Sequence, residues 1–275
     1  MNVFKHCSLL FVCVLISHTS YAGEVQVAVA SNFTKPMQQI AKLFQAETGH
    51  EAKLSFGASG KFVAQIMNGA PFEIFLSADD TKPAKLVAEG LALANTVFTY
   101  AQGKLVLWSH DENYVDAEGQ VLQSGDFKHI AVADPKLAPY GEAAMQTLDA
   151  LELTDKLRER FVMGRNIGQT FQFVKTANAE LGLIALSQVM EAGKMSSGSG
   201  WIIPAEYYEP IKQEAVLLKK GEKNEAALAL LSFLQSDQAK AVIKSFGYKL
   251  PVIKVSSEGG TAINHTETEN AKTKP

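Results

Sequence analysis

The fold is decided by residues 24–62, "EVQVAVASNFTKPMQQIAKLFQAETGHEAKLSFGASGKF". Residues 24–30 alternate in the manner of a short strand, and residues 34–49 repeat apolar side chains at helical spacing, with Gly49 placed to end the helix. Residues 51–57 predict a second strand, and "KFVAQIMNG" (61–69) predicts a second helix. Strands that alternate with helices predict a parallel sheet covered by helices on both faces.

The same alternation continues along the chain. "FEIFLSA" (72–78) and "TKPAKLVAEG" (81–90) add a third strand and helix to the first unit. A second unit has predicted strands at 103–109, 129–135 and 181–187, and predicted helices at 141–151, 155–162 and 168–178. A further strand at 213–220 is followed by two helices within 224–247. The sequence therefore predicts an α/β protein of two lobes.

No stretch rich in Pro, Gly or Ser separates the two units, so we expect uninterrupted strands to join them. The chain should cross between lobes near Gln102 and again near Ala215. We therefore assign residues 23–101 and 217–253 to lobe 1 and residues 102–216 to lobe 2.

The two ends of the sequence predict export and a disordered tail. Lys5, an apolar run at 7–16 and the small-x-small site Ser20-Tyr21-Ala22 are typical of a secretory signal peptide over residues 1–22. Cys7 and Cys13 both lie within it, so no cysteine remains after the cleavage point for a lipid anchor. Residues 254–275 are polar and without periodicity, which is typical of disorder. We expect an exported protein without a lipid anchor.

Several classes of function are disfavoured by composition and motifs. The formal net charge is −3, so the composition does not indicate the basic surface that nucleic-acid binding requires. "SFGASGK" fails as a nucleotide-binding P-loop, because Ser55 stands at the first glycine position and Phe62 follows Lys61. No histidine of the exported part lies at a strand-to-helix junction, and no metal-ligand spacing or Gly-x-Ser-x-Gly motif occurs. We expect neither an enzyme nor a bound cofactor.

Four strand-to-helix junctions are rich in small or neutral hydrogen-bonding residues: "ASNFTKP" (30–36), "FGASGKF" (56–62), "DPKLAPYGEA" (134–143) and "GRNIGQT" (164–170). In open parallel sheets ligands lie beyond the carboxyl ends of strands. The first turn of a helix offers unpaired N–H groups and a partial positive charge, which suit an anion. The alternative is that residues such as Asn32 and Ser59 only cap helices, which needs no ligand.

Residues 28–80, with "VADPKLAPYGEAA" (132–144), "GRNIGQTFQFVKTANAELGLIALS" (164–187) and "FLQSDQAKAVIKSFGY" (233–248), resemble the periplasmic molybdate-binding proteins. The resemblance covers nearly the whole exported chain. It implies the two-lobed type II periplasmic-binding-protein fold, each lobe a mostly parallel sheet flanked by helices. It also implies a monomer that captures molybdate. Tungstate is close to molybdate in size and charge, so we expect it to be captured as well. The partners it implies are the membrane permease and ATPase subunits of an ABC importer.

Carried over residue by residue, the resemblance implies an oxyanion site formed by Ser31, Asn32, Ser59, Tyr140 and the backbone N–H of Ile167. Molybdenum would be held only as molybdate, through neutral donors: the two serine hydroxyls, the Asn32 amide, the Tyr140 hydroxyl and backbone N–H groups. One branch of the family places a tyrosine where this chain has Ala185; Tyr140 is expected to supply that hydroxyl instead.

Charged residues near the junctions are Lys35, Lys61 and Arg165, and all three are expected to face solvent. Two alternatives remain from the sequence. One is a receptor for another oxyanion or a small carboxylate, favoured if Arg165 turns into the cleft, because arginine forks bind carboxylates. The other is an exported enzyme on the same scaffold, with Ser59 as nucleophile.

Overall fold

The computed structural model describes residues 22–251, and the predicted signal peptide up to Tyr21 and the predicted tail 254–275 lie outside them. The strands are β1 Glu24–Ala30, β2 Glu51–Gly57, β3 Ile74–Ser77, β4 Phe98–Gly103, β5 Leu105–Ser109, β6 Ile130–Ala133, β7 Phe161–Gly164, β8 Leu181–Ala185, β9 Met190–Glu191, β10 Lys194–Met195, β11 Ser199–Ile202 and β12 Ile211–Leu217. The α-helices are α1 Thr34–Thr48, α2 Ser59–Met67, α3 Thr81–Ala88, α4 Gln120–Ser124, α5 Pro139–Ala150, α6 Thr154–Leu157, α7 Ile167–Lys175, α8 Glu225–Phe233 and α9 Asp237–Ser245. Short 3-10 helices occur at Ser31–Phe33, Ala94–Thr96, Arg158–Arg160, Leu186–Gln188, Ala205–Tyr207 and Lys219–Gly221.

Two five-stranded sheets form the framework, with strand orders β2-β1-β3-β12-β4 and β11-β5-β8-β6-β7. In the first sheet β1 is parallel to β2 and β3, while β12 runs antiparallel between β3 and β4. In the second sheet β6 is parallel to β7 and β8, while β5 runs antiparallel between β8 and β11. The α/β class is confirmed, and each sheet is mixed rather than wholly parallel.

Helices cover both faces of each sheet, as predicted. On the first sheet, one face packs under α1, α8 and α9 through side chains such as Phe44 and Ile243, and the other packs under α2 and α3 through Phe62 and Leu86. On the second sheet, α5 covers one face and α7 covers the other, where Val174 packs. These four apolar layers fix the positions at which the helices begin.

The prediction of a helix over residues 155–162 is wrong at its end. Helix α6 stops at Leu157, and after a 3-10 turn Phe161 enters β7, which pairs in parallel with β6. The sequence prediction also missed β4 and β11, which hydrogen-bond to β12 and β5. At β4, β7 and β11, pairing with a strand that is remote in sequence decides the local conformation. The local sequence pattern is therefore a weak predictor of these three strands.

The division into lobes at 101/102 and 216/217 stays a prediction. The predicted crossing points, Gln102 and Ala215, lie in β4 and β12 of the first sheet. These two strands pair with each other from Ile211↔Gly103 to Ala215↔Phe98. Lys104 then leads directly into β5 of the second sheet. Within residues 22–251, no helix has the length and apolar character that a membrane span needs.

Candidate functional site

A small cavity lies where four strands end and helices begin. Strands β1 and β2 of the first sheet and β6 and β7 of the second all run into the predicted junctions. The cavity is small, about 10 Å³ for the centre of a water-sized sphere, and is lined by Ala30, Ser31, Asn32, Gly57, Ala58, Ser59, Ala78, Ala138, Pro139, Tyr140 and Ile167. All five residues of the predicted site are among them, and every lining residue is uncharged.

Direct contacts join the two sheets around this cavity. The backbone N–H of Gly60, in the first turn of α2, donates to the Leu137 carbonyl at 3.0 Å. The Ser31 hydroxyl donates to Asn166 Oδ1 and accepts from the Gly168 N–H, both at 3.3 Å. Asn166 Oδ1 also caps α7 by accepting from the Gln169 N–H at 2.9 Å. The junctions of both sheets are therefore held together, and the Ser31 hydroxyl is already engaged in joining them.

Ser59 is placed to donate a hydrogen bond into the cavity. It is the first residue of α2 and its side chain is buried. Its Oγ accepts from the Ala78 N–H at 3.0 Å, which leaves the hydroxyl hydrogen available for another acceptor. The Gly60 and Phe62 N–H groups donate to the Leu137 and Ala58 carbonyls, and the remaining N–H groups of the first turn of α2 lie beside Ser59. Hydroxyl and helix start thus present donors together.

Tyr140 lies on the opposite side, in the first turn of α5, with only 1% of its surface exposed. Helix α5 approaches the end of β6 closely because residue 141 is glycine: a Cβ there would lie 2.3 Å from the Ala133 carbonyl oxygen. The Tyr140 hydroxyl is buried beside the Tyr248 hydroxyl, and by bond geometry it has no hydrogen-bond partner among the described residues. Leaving a hydroxyl buried and unpaired costs about 1–3 kcal/mol, so this group calls for a bound partner.

Asn32 is held by a buried polar network that the sequence analysis missed. Its Nδ2 donates to Gln213 Oε1 at 2.8 Å and to the Tyr248 hydroxyl at 2.9 Å. Gln213 Nε2 in turn faces the carbonyls of Ala78 and Ile211, each at 3.4 Å, so its Oε1 is the end that meets Asn32.

Besides the Tyr140 hydroxyl, Asn32 Oδ1 is the other buried side-chain nitrogen or oxygen of residues 22–251 that has no hydrogen-bond partner. In this arrangement a direct side-chain bond from Asn32 to an anion requires the amide to turn. Otherwise its backbone N–H, in the 3-10 turn Ser31–Phe33, is the donor.

Ile167 contributes a helix start rather than a polar side chain. It is the first residue of α7, preceded by Asn166 with extended backbone angles, and its side chain is buried. Backbone N–H groups in the first turn of a helix have no partner within the helix. The Gly168 and Gln169 N–H groups are already bound to Ser31 and Asn166, so the position supplies the Ile167 N–H and the positive end of the α7 dipole.

Charged side chains near the junctions stay outside the cavity. Lys61 and Arg165 are exposed, as predicted, and neither lines the cavity. Lys35 is also exposed, but its Nζ donates to the Gln188 carbonyl at 3.1 Å instead of facing only solvent. Asp79 accepts from the Lys82 N–H at 3.2 Å at the start of α3. Within residues 22–251 no cluster of three or more His, Cys, Asp or Glu could hold a metal ion.

Burial raises the pKa of the Tyr140 hydroxyl well above 10.0 and that of Tyr248 to about 12. Both hydroxyls therefore stay protonated donors in the folded protein at pH values where an unfolded tyrosine ionises. We expect the melting temperature to be insensitive to these tyrosines below pH 10 and to fall above it, because only the unfolded state then gains by losing protons. Thermal melts of wild type and Tyr248→Phe from pH 8 to 11.5 test this; equal slopes above pH 10 would contradict it.

Two sheets that are flanked by helices and meet around a cavity at their strand ends are typical of extracellular solute receptors. The chain belongs to the bacterial extracellular solute-binding proteins, whose family pattern matches residues 25–249. Within that class it belongs to the molybdate-binding protein ModA family.

The membership in that family rests on close curated relatives. The chain is 54% identical over 236 residues to the molybdate-binding protein ModA of Azotobacter vinelandii, covering 86% of this chain and 94% of the relative. It is 49% identical to ModA of Rhodobacter capsulatus, covering 82% and 88%. The structure of the Azotobacter vinelandii periplasmic molybdate-binding protein superposes with a TM-score of 0.81 at 43% identity, covering 83% of this chain and all of that one.

Proposed function

We propose that this chain captures molybdate, and tungstate with it, in the periplasm and presents it to the permease and ATPase subunits of an ABC importer. Two relatives that share 54% and 49% of their residues with this chain are named molybdate-binding proteins. One similar solved structure is that of a periplasmic molybdate-binding protein. The observation that carries the proposal is the buried, unpartnered Tyr140 hydroxyl in a cavity lined only by uncharged residues. We further propose residues 1–22 as the export signal and a monomer as the working form.

The chemistry of the cavity suits a small tetrahedral dianion. The helix starts of α2, α5 and α7 bring dipoles, those of α2 and α7 also bring free N–H groups, and Ser59 and Tyr140 bring hydroxyls. Hydrogen bonds to a charged partner contribute about 1.5–3 kcal/mol each, and a helix start adds roughly 0.3–1 kcal/mol. About six such bonds, less the costs of association and of ordering the lobes, suffice for a dissociation constant below ~1 μM, about −8 kcal/mol. A formal positive charge is not needed.

Selectivity between oxyanions follows from the kind of hydrogen-bonding groups in the cavity and from the spacing of its donors. Hydrogen phosphate carries a proton that needs an acceptor, and the lining contains no carboxylate. Sulfate needs no acceptor but is smaller than molybdate, so rigid donors spaced for molybdate cannot all reach its oxygens. Tungstate matches molybdate closely in size and charge. We therefore expect affinity in the order molybdate and tungstate, then sulfate, then phosphate.

The alternatives have less support. Arg165 does not line the cavity, which disfavours a carboxylate receptor, because arginine forks bind carboxylates. An enzyme with Ser59 as nucleophile would need a base beside it. The Ser59 Oγ contacts the Ala78 N–H, and no histidine lines the cavity in the described part of the chain.

Calorimetric titration of the exported chain with molybdate, tungstate, sulfate and phosphate tests the proposal. We expect Ser59→Ala and Tyr140→Phe each to weaken molybdate by more than ~1 kcal/mol, the usual scale for losing a donor to a charged group. Ser232→Ala is a suitable control, since that serine lies on α8, away from the cavity. Unchanged affinity in both site variants, or tighter sulfate than molybdate in the wild type, would refute the assignment.

A further inference from the structure

The 3-10 turn Leu186–Gln188 contacts both halves of the cavity wall from outside. The Ser187 hydroxyl donates to the backbone carbonyl of Asn32 at 2.8 Å. The next residue, Gln188, donates from Nε2 to the backbone carbonyl of Ile167 at 2.9 Å. Asn32 follows β1 of the first sheet and Ile167 follows β7 of the second, so two adjacent side chains fix one wall residue from each sheet.

The orientation of the Gln188 amide is determined by its partners. Its Oε1 accepts from the Ala185 N–H at 3.0 Å, at the end of β8, while its Nε2 faces the Ile167 carbonyl. Turning the amide over would set oxygen against oxygen and N–H against N–H. Since both ends are matched, Gln188 ties the start of α7 to the end of β8 in one geometry only.

The turn is also tied to the first sheet and its helices. The Tyr248 hydroxyl contacts Ser187 Oγ at 2.9 Å and the Asn32 carbonyl at 3.1 Å. Lys35 Nζ donates to the Gln188 carbonyl. The Leu186 N–H donates to the Lys104 carbonyl at 2.9 Å, in the link between β4 and β5. The turn is therefore held from both sheets and from the segment that joins them.

We propose that Ser187 and Gln188 are positioning residues for the oxyanion site. They fix Asn32 and Ile167 relative to each other, and so set the spacing between donors that the two sheets present. The inference rests on the proposed function of those two residues as ligands. Ser187 and Gln188 themselves are buried and absent from the cavity lining, so they act only through the residues that they hold.

The two bonds have different consequences when they are lost. The Gln188 bond joins two segments of the second sheet, so its loss frees the start of α7. The Ser187 bond reaches from the second sheet to the first, so its loss weakens the closed arrangement of the two sheets. In both cases the donors lose their spacing although no group that touches the ligand has been removed.

The test is a calorimetric molybdate titration of Ser187→Ala and Gln188→Met beside the wild type, with the melting temperature of each protein measured without ligand. The matched control is Thr147→Val, which removes another buried hydroxyl that donates to a backbone carbonyl, here Ala143 at 2.9 Å, away from the cavity. We expect Kd to rise by about tenfold or more in each turn variant, which is ~1.4 kcal/mol. The control should lose melting temperature but keep Kd within about twofold.

The outcomes separate this inference from the proposed function. If the wild type does not bind molybdate, the proposed function fails and the inference fails with it. If the wild type binds and the turn variants keep its Kd within twofold while melting lower, the turn is merely structural and the inference is overturned. If Ser187→Ala does not fold, Gln188→Met decides by the same criterion.

Discussion

Replacing Asn32 with aspartate is expected to abolish molybdate binding at pH 8. The change places a negative charge of nearly the same shape in a buried wall of the cavity. Two unit charges about 4 Å apart repel by ~4 kcal/mol at an effective dielectric constant of 20, and a dianion roughly doubles this. We therefore expect Kd to rise by more than about a thousandfold. Because a protonated aspartic acid carries no charge, part of the affinity should return as the pH is lowered towards 5.

The control for this charge change is Asn113→Asp, which adds the same charge on an exposed residue between β5 and α4. A surface charge at a distance is largely screened by salt, so this variant should bind like the wild type. The measurement is calorimetric titration of both variants at pH 8 and pH 5.5. If Asn32→Asp binds molybdate within tenfold of the wild type at pH 8, then Asn32 does not face the anion.

The second large effect is expected from Gly103→Ala, although residue 103 does not line the cavity. A Cβ at this position would lie 2.0 Å from the Tyr140 hydroxyl oxygen and 2.9 Å from Cζ of its ring, and 3.1 Å from Gln213 Nε2. The buried ring has to move, and its hydroxyl then leaves the site. The variant should therefore lose at least what Tyr140→Phe loses, and we expect a Kd increase of more than about tenfold.

A double-mutant cycle distinguishes this cause from a general loss of packing. If Gly103→Ala acts by displacing the Tyr140 hydroxyl, its effect on Kd should be much smaller in a Tyr140→Phe background, because that hydroxyl is already gone. Independent, additive effects would show that the glycine acts by another route. Ligand-free melting temperatures of all four proteins show whether each remains folded.

The sequence could predict which junctions line the cavity, because each junction depends on a local pattern. Each of the four junctions carries small or neutral polar residues directly after a strand, and parallel strands bring such junctions to one edge of a sheet. The sequence identifies the junction after β7 even though its local pattern predicts a helix through residues 155–162. The glycine and asparagine of "GRNIG" identify a helix start whether or not the preceding residues are extended.

The support of the site could not be predicted, because it is built from contacts between residues far apart in the chain. Asn32 is held by Gln213, Tyr248 and Ser187, more than 150 residues away in every case. No local pattern marks Gln213 on β12 or Ser187 after β8 as partners of a junction. Gly103 is likewise explained only by the approach of Tyr140 from the other sheet. These pairings depend on the packing of both sheets.

The central claim is that neutral donors from both sheets enclose one oxyanion, and anomalous scattering at the molybdenum edge from crystals grown with molybdate tests it most directly. The account predicts one strong peak in this cavity, with oxygens at about 2.7–3.2 Å from Ser59 Oγ, Tyr140 Oη and the Ile167 backbone nitrogen. A peak elsewhere, or one whose oxygens are bound by Lys35, Lys61 or Arg165, would contradict it.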